Sequence, residues 1–162
     1  MMFYKKPANK KQIQCLYDIA RFFKIRLKII YDYKNYGINL CCFEKDEITL
    51  YISKKMPMNE LYSNFFHEFA HLYNKYNRLF PYQHVYHPIY FTKKEWANFF
   101  RTMKRSELFT EKMGKKLMNL FFPNIRYISY YSKNNPDTDF QMKEHKKEII
   151  EFYKLKQKGI YA

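Results

Sequence analysis

The chain has no run of about 18 apolar residues, the length a helix needs to cross a bilayer. Its first stretch, Met1 to Gln12, is polar and basic and contains no apolar segment of the kind a secretory leader carries. Both absences lead to the expectation of a cytoplasmic protein with no membrane partner. Cysteine is scarce: Cys15, Cys41 and Cys42 make an odd number without metal-ligand spacing, and two adjacent residues of a strand point to opposite faces. They read as reduced thiols. No repeat or low-complexity linker divides the 162 residues, so the expectation is a single domain, long enough to bury a core. Acidic residues are few as well, 15 against 30 Lys and Arg, for a formal charge of +15.

Aromatic residues are abundant, with 17 Tyr and 16 Phe against 3 Gly. Together with frequent Lys, Asn and Ile this is the profile of AT-rich codons, and a chain 47% hydrophobic is not a disordered one. The positive charge points to a nucleic acid or an acidic protein as partner for a basic surface. No zinc finger, RNP sequence or helix-turn-helix pattern accompanies it, and the basic residues are spread along the chain. Solvated lysines inflated by codon usage account for the charge more readily than specific nucleic-acid binding does.

One stretch carries chemistry. His67-Glu68-Phe69-Ala70-His71 is an HExxH pattern inside a helically spaced run, Met58 to Tyr76. Residues four apart stack on one face of a helix, so His67 and His71 can grip one ion, while Glu68 projects to the side, where it can reach a water beside that ion. This is the arrangement of a zinc hydrolase. Leu61, Phe65, Phe69, Leu72 and Tyr76 form an apolar stripe beside the histidines and are expected to bury one flank of the helix. Pro57 fits the helix start, with Asn59 as a cap.

Before the motif, Asn9 and Gln12 form the two ends of a capping box for a helix with Ile13, Leu16, Ala20 and Phe23 on its apolar face. Alternation then predicts three strands: Ile25 to about Tyr33, Ile38 to Phe43, and Ile48 to Ser53. The stretch Glu47 to Ser53 is expected at the cleft edge, where an extended peptide could add as another strand. After the motif come a Tyr-, Pro- and His-rich loop (78–91) and a helix capped by Thr92 and Glu95 with Trp96, Phe99, Phe100 and Met103 inward. A separate helix is expected from about Ser106 to Phe122, stopped by Pro123. Beyond it lie a short strand over Ile125 to Ser132, a turn at Asn134 to Asp137 and a lysine-rich helix from Asp139 to Lys158.

A hydrolytic zinc site takes three protein ligands, so a third must lie elsewhere. The pattern HExxHxxGxxH fails, because Asn74 and Asn77 stand at its glycine and third histidine. Glu107, Thr110, Glu111 and Gly114 share one helical stripe, and small residues beside Glu107 would let its helix approach the motif helix closely. Gly114 costs a helix about 1 kcal/mol relative to Ala, which calls for a packing reason. Glu95, His84 and His87 are the competing ligands.

These residues resemble the ImmA/IrrE-type metallopeptidases, gluzincin-like proteins in which HExxH is followed by ExxA[ND]xFAxxLL. Glu107 to Met118 keeps every spacing, with Thr110 for Ala, Glu111 for Asn or Asp, Met113 for Phe and Gly114 for Ala. Around Glu95 the Ala97-Asn98 pair falls one residue early. The resemblance covers roughly Ile13 to Phe122 and leaves the tail from about residue 124 unassigned. It implies an α+β, minimal zincin-like fold: a small three-stranded sheet packed on the HExxH helix, with additional C-terminal helices. It further implies Zn²⁺ on His67, His71 and Glu107, with Glu68 as general base and one of Tyr82, His84, Tyr86, His87 or Tyr90 steadying the oxyanion. The implied activity is that of an endopeptidase cutting a regulatory or DNA-bound protein such as a repressor.

His84 and His87 are similar to the third-ligand segment of SprT-type proteases, which act on DNA-bound substrates. Val85 or Pro88 stands where those carry glycine, and no cysteine-rich ribbon follows. The alternative from another class is a non-catalytic zincin-scaffold protein that uses its basic surface to hold nucleic acid or an acidic protein partner.

Overall fold

A computed structural model describes residues 6–32, 39–42, 45–77, 92–129 and 158. They form an α+β structure of three helices and a small sheet, in the order α1 (Lys10–Phe22), β1 (Arg26–Tyr31), β2 (Asn39–Cys42), β3 (Glu47–Ile52), α2 (Met58–Asn77) and α3 (Lys93–Phe121). Contacts group the chain into two compact units. One is Met1–Leu79 with Thr110–Ser129, and the other is Phe80–Phe109 with Tyr130–Ala162. In the second, the described residues are the first part of α3, its lead-in Thr92, and Lys158.

The predicted capping box opens α1. Gln12 N–H donates to Asn9 Oδ1 at 3.0 Å, and Asn9 N–H donates to Gln12 Oε1 at 2.8 Å. Leu16, Ile19 and Ala20 are buried, whereas Phe23 is 40% exposed, so Ile19 takes the place expected for Phe23. The helix closes with the Ile25 N–H donating to Ala20 O and the Lys24 N–H to Arg21 O, the double bond of a Schellman ending. Lys24 sits in the left-handed region at φ 57, a position where glycine is usual.

The sheet has the order β1-β3-β2, with β1 parallel and β2 antiparallel to β3. The strand expected at the cleft edge is therefore the central one. Glu47 to Leu50 is paired on both sides, with β1 and with β2, and offers no edge to a peptide over that stretch. Ile48, Leu50 and Ile52 are at most 2% exposed. Glu47 is also buried, and Lys28 Nζ at 2.9 Å and Arg26 Nη1 at 3.4 Å pair with it from β1. The Lys28 bond, opposed by burial, holds its carboxyl below the usual range.

All of α2 from Leu61 to Ala70 is buried, not one flank only. The sheet and α1 cover one side, where Phe69 meets Phe23 at 4.8 Å between ring centres. The C-terminal half of α3 and the chain after it cover another, with Phe122 at 4.7 Å from Tyr62 and Phe121 at 5.5 Å from Phe66. Burying phenylalanines such as Phe65 and Phe66 contributes about 1.5–3 kcal/mol each. The helix starts from Pro57, whose carbonyl accepts the Leu61 N–H at 3.0 Å, so Pro57 and not Asn59 holds the cap. Asn59 lies inside the first turn and accepts the Ser63 hydroxyl on its carbonyl at 2.6 Å.

Tyr62 ties α2 to α1 by donating to Gln12 O at 3.0 Å. Burial, and secondarily the Cys15 thiol beside it, pushes its phenol above the ordinary 10.0. A group with a raised folded value adds stability in full below its unfolded value, and that contribution fades as the pH rises past it. Tyr62→Phe should lower stability by about 1 kcal/mol at pH 8, through the lost hydrogen bond. The gap to wild type should narrow above pH ~10, where an unfolded phenol ionises. Thermal melts from pH 8 to 11 check this, and a constant gap would contradict it.

The two helices expected around Thr92 to Phe122 are one, α3, which starts directly after Thr92 and stops before Pro123 as predicted. No glycine or proline interrupts Lys93 to Met113, so nothing in the backbone breaks it. Residues 126–129 run as irregular chain in place of the expected strand, held along α2 by the Ile128 N–H donating to Ser63 Oγ at 2.8 Å. The loop 78–91 with His84 and His87, the Asn134–Asp137 turn, the 139–158 helix except Lys158, and the Glu95 side chain lie outside the described residues. No described helix is long and apolar enough to cross a membrane.

Candidate metal centre

The centre is built from two pairs at the same four-residue spacing. His67 and His71 come from α2, and Glu107 and Glu111 from α3. On α2 the imidazoles stand edge to face with ring centres 5.0 Å apart. His67 is 8% exposed, Glu68 7%, and His71 half-buried. A helix interior seldom buries such a trio without partners, because each polar group leaves water at a cost of kcal/mol.

The partners are on α3. Glu111, 4% exposed, places Oε1 at 2.8 Å from His67 Nδ1. Its other oxygen accepts the Ser129 hydroxyl at 2.6 Å. Thr110 Oγ1 lies 3.5 Å from His71 Nδ1. With Glu111 at Nδ1, a metal held by His67 would take Nε2, and the carboxylate would fix the ring's orientation.

Glu107 stands one turn before Glu111 on the same unbroken helix. Donor atoms of His67, His71 and Glu107 lie within 4.8 Å of one another, so among the described residues there is a His-His-Glu group able to hold a metal ion. Nitrogen and carboxylate donors in that number suit a borderline cation such as zinc.

The helices approach as closely as Gly114 allows. A Cβ there would lie 3.0 Å from Phe66 O, 3.2 Å from Phe66 C and 2.9 Å from Tyr127 Oη. Backbone atoms one residue before His67 thus touch the α3 face that carries Glu107, Glu111 and Thr110. Glycine at 114 brings two carboxylates within reach of two histidines.

Sequence reasoning named His67, Glu68, His71 and Glu107, and it placed Thr110, Glu111 and Gly114 on the same stripe. It missed what Glu111 does. A signal was present, since Glu111 follows Glu107 by the four residues that separate the histidines. Nothing local marks Ser129, which reaches Glu111 only because the chain turns back after Pro123.

In comparisons with protein-family models, curated proteins and solved structures, nothing matches this chain.

Proposed function

We propose that the chain is a zinc-dependent metallopeptidase with a zincin-like fold. The observation that carries this reading is the His-His-Glu group with Glu111 seated on the far nitrogen of His67. His67, His71 and Glu107 would hold the ion. The chemistry zinc supplies when bound is Lewis-acid activation of a water and polarisation of the scissile carbonyl.

The protein's own residues do the rest. Glu68 is next to His67 on the helix and cannot share its donor direction, which suits it to take the proton of the attacking water and return it to the leaving amine. Its near-complete burial removes competing solvent. Glu111 and Thr110 hold the imidazole rings in orientation, and Ser129 holds Glu111. The spacing of Glu107, Thr110, Glu111, Gly114, Leu117 and Met118 supports an ImmA/IrrE-type endopeptidase, with a regulatory or DNA-bound protein as substrate.

Elemental mass spectrometry of purified, zinc-reconstituted protein tests the reading. Wild type should carry near one zinc per chain, and His67→Ala and Glu107→Ala should carry almost none. Glu111→Ala should retain the site but lose affinity about 10–100-fold, the usual cost of removing a carboxylate that orients a ligand. Glu95→Ala and His87→Ala should match wild type. Loss of zinc with either of those would move the third ligand, and no zinc in any preparation would end the hydrolase reading.

A further inference from the structure

Outside the metal centre, one charged surface has a regular geometry. Along α3, Lys94, Arg101, Arg105, Lys112 and Lys116 are all exposed. At 3.6 residues per turn their directions fall within about 60° of arc, a single straight stripe. Lys93 and Lys115 are exposed on its flank, and Asn98 and Asn119 are exposed along it. Glu107, Thr110, Glu111 and Gly114 lie on the opposite side of the same helix, so among the described side chains of α3 no carboxylate neighbours the stripe. Among the described residues, none of the five is ion-paired.

Such an arrangement costs the helix. Arg101 with Arg105, and Lys112 with Lys116, are like charges at the four-residue spacing, each pair unfavourable by a few tenths of a kcal/mol. Codon usage explains many lysines, but it does not require five exposed cations to fall on one line of α3 or two of them to be arginine. From Lys94 to Lys116 the stripe is about 33 Å long, at 1.5 Å per residue. That is close to one turn of duplex DNA, roughly 34 Å. An acidic protein partner fits less well, because protein interfaces are anchored by apolar or aromatic side chains at their centre. The exposed described residues along this line are cations and amides, and the apolar residues nearest its middle, Leu108 and Phe109, are half-buried.

We propose that the exposed face of α3 binds the phosphate backbone of duplex DNA, without reading sequence, through Lys94, Arg101, Arg105, Lys112 and Lys116. This interaction is independent of the metal centre, from which it faces away on the helix.

The test is fluorescence anisotropy with a labelled mixed-sequence duplex of about 24 base pairs, titrated at several salt concentrations. The variant Arg101→Ser/Arg105→Ser/Lys112→Ser/Lys116→Ser removes four cations of the stripe. The control Lys10→Ser/Lys11→Ser/Lys54→Ser/Lys55→Ser removes four exposed cations elsewhere. Each phosphate contact adds about 0.9 to the slope of log K against log salt. The stripe variant should therefore lose about three to four units of slope and at least a hundredfold in affinity near 0.1 M salt, while the control stays within about threefold.

Circular dichroism should find the stripe variant folded, and single substitutions of Arg101 and Arg105 should each lower the slope by about one. Glu68→Gln should bind DNA as wild type does. Equal losses in stripe and control variants would overturn the proposal, as would no binding by wild type at 50 mM salt. Displacement of the duplex by polyglutamate as effectively as by unlabelled DNA would overturn it too, in favour of an acidic polypeptide partner.

Discussion

Glu68→Gln should abolish peptide hydrolysis, by about 10³-fold, while leaving zinc content and melting temperature close to wild type. Gln keeps the size and the hydrogen-bonding reach of Glu but cannot accept a proton, and general-base catalysis is worth roughly 10²–10⁴-fold. Glu68 is almost fully buried on α2 between the two histidines of the candidate centre and is not a member of the His-His-Glu group. The substitution therefore separates proton transfer from metal binding. The assay is cleavage of a complex peptide mixture by reconstituted protein, read by mass spectrometry. Unchanged cleavage by the Gln variant would remove Glu68 from the mechanism, and loss of zinc would make it a ligand instead of a base.

The second large effect belongs to a residue that touches no substrate. Gly114→Ala should destabilise the protein by about 1–3 kcal/mol, the usual cost of forcing extra atoms into a packed interior. Helix propensity alone predicts the opposite sign, a gain of about 1 kcal/mol. The clash decides, because two of the three atoms a Cβ would meet belong to the Phe66 backbone and cannot rotate away. Relief requires α3 to withdraw from α2, and withdrawal takes Glu107 and Glu111 away from His67 and His71. Zinc affinity should therefore fall together with stability, and Gly114→Val should do more of both. A Gly114→Ala protein that melts higher than wild type and binds zinc equally well would show that the helices have room to spare.

Much of this was legible in the residues, for reasons that differ from place to place. The capping box at Asn9 and Gln12, the alternation of Ile48, Leu50 and Ile52, and the HExxH spacing are local signals read over a few positions, and each appears where expected. Strand order is not local. Glu47 to Ser53 was expected at the cleft edge as the strand before the motif helix, yet Glu47 to Leu50 pairs with β1 on one side and β2 on the other. The break expected near Ser106 has a more instructive cause. The apolar period running through Trp96 and Met103 continues at Ser106, Glu107, Thr110 and Glu111, but in polar residues, so the apolar stripe ends while the helix goes on. Polar residues at core positions in an unbroken helix are where a pattern-based reading fails and where function concentrates. The bond from Ser129 to Glu111 depends on a chain reversal that no short-range rule encodes.

That reversal gives the protein a built-in order of assembly. His67 and His71 emerge during synthesis long before Glu107 and Glu111, and Ser129 comes later still. Closing so long a stretch costs chain entropy that is recovered only when α3 seats against α2. A nascent chain ending short of α3 has the two histidines and Glu68 but none of the α3 carboxylates. The candidate metal centre is thus complete only once α3 has been made, and an unfinished copy lacks part of its donor set.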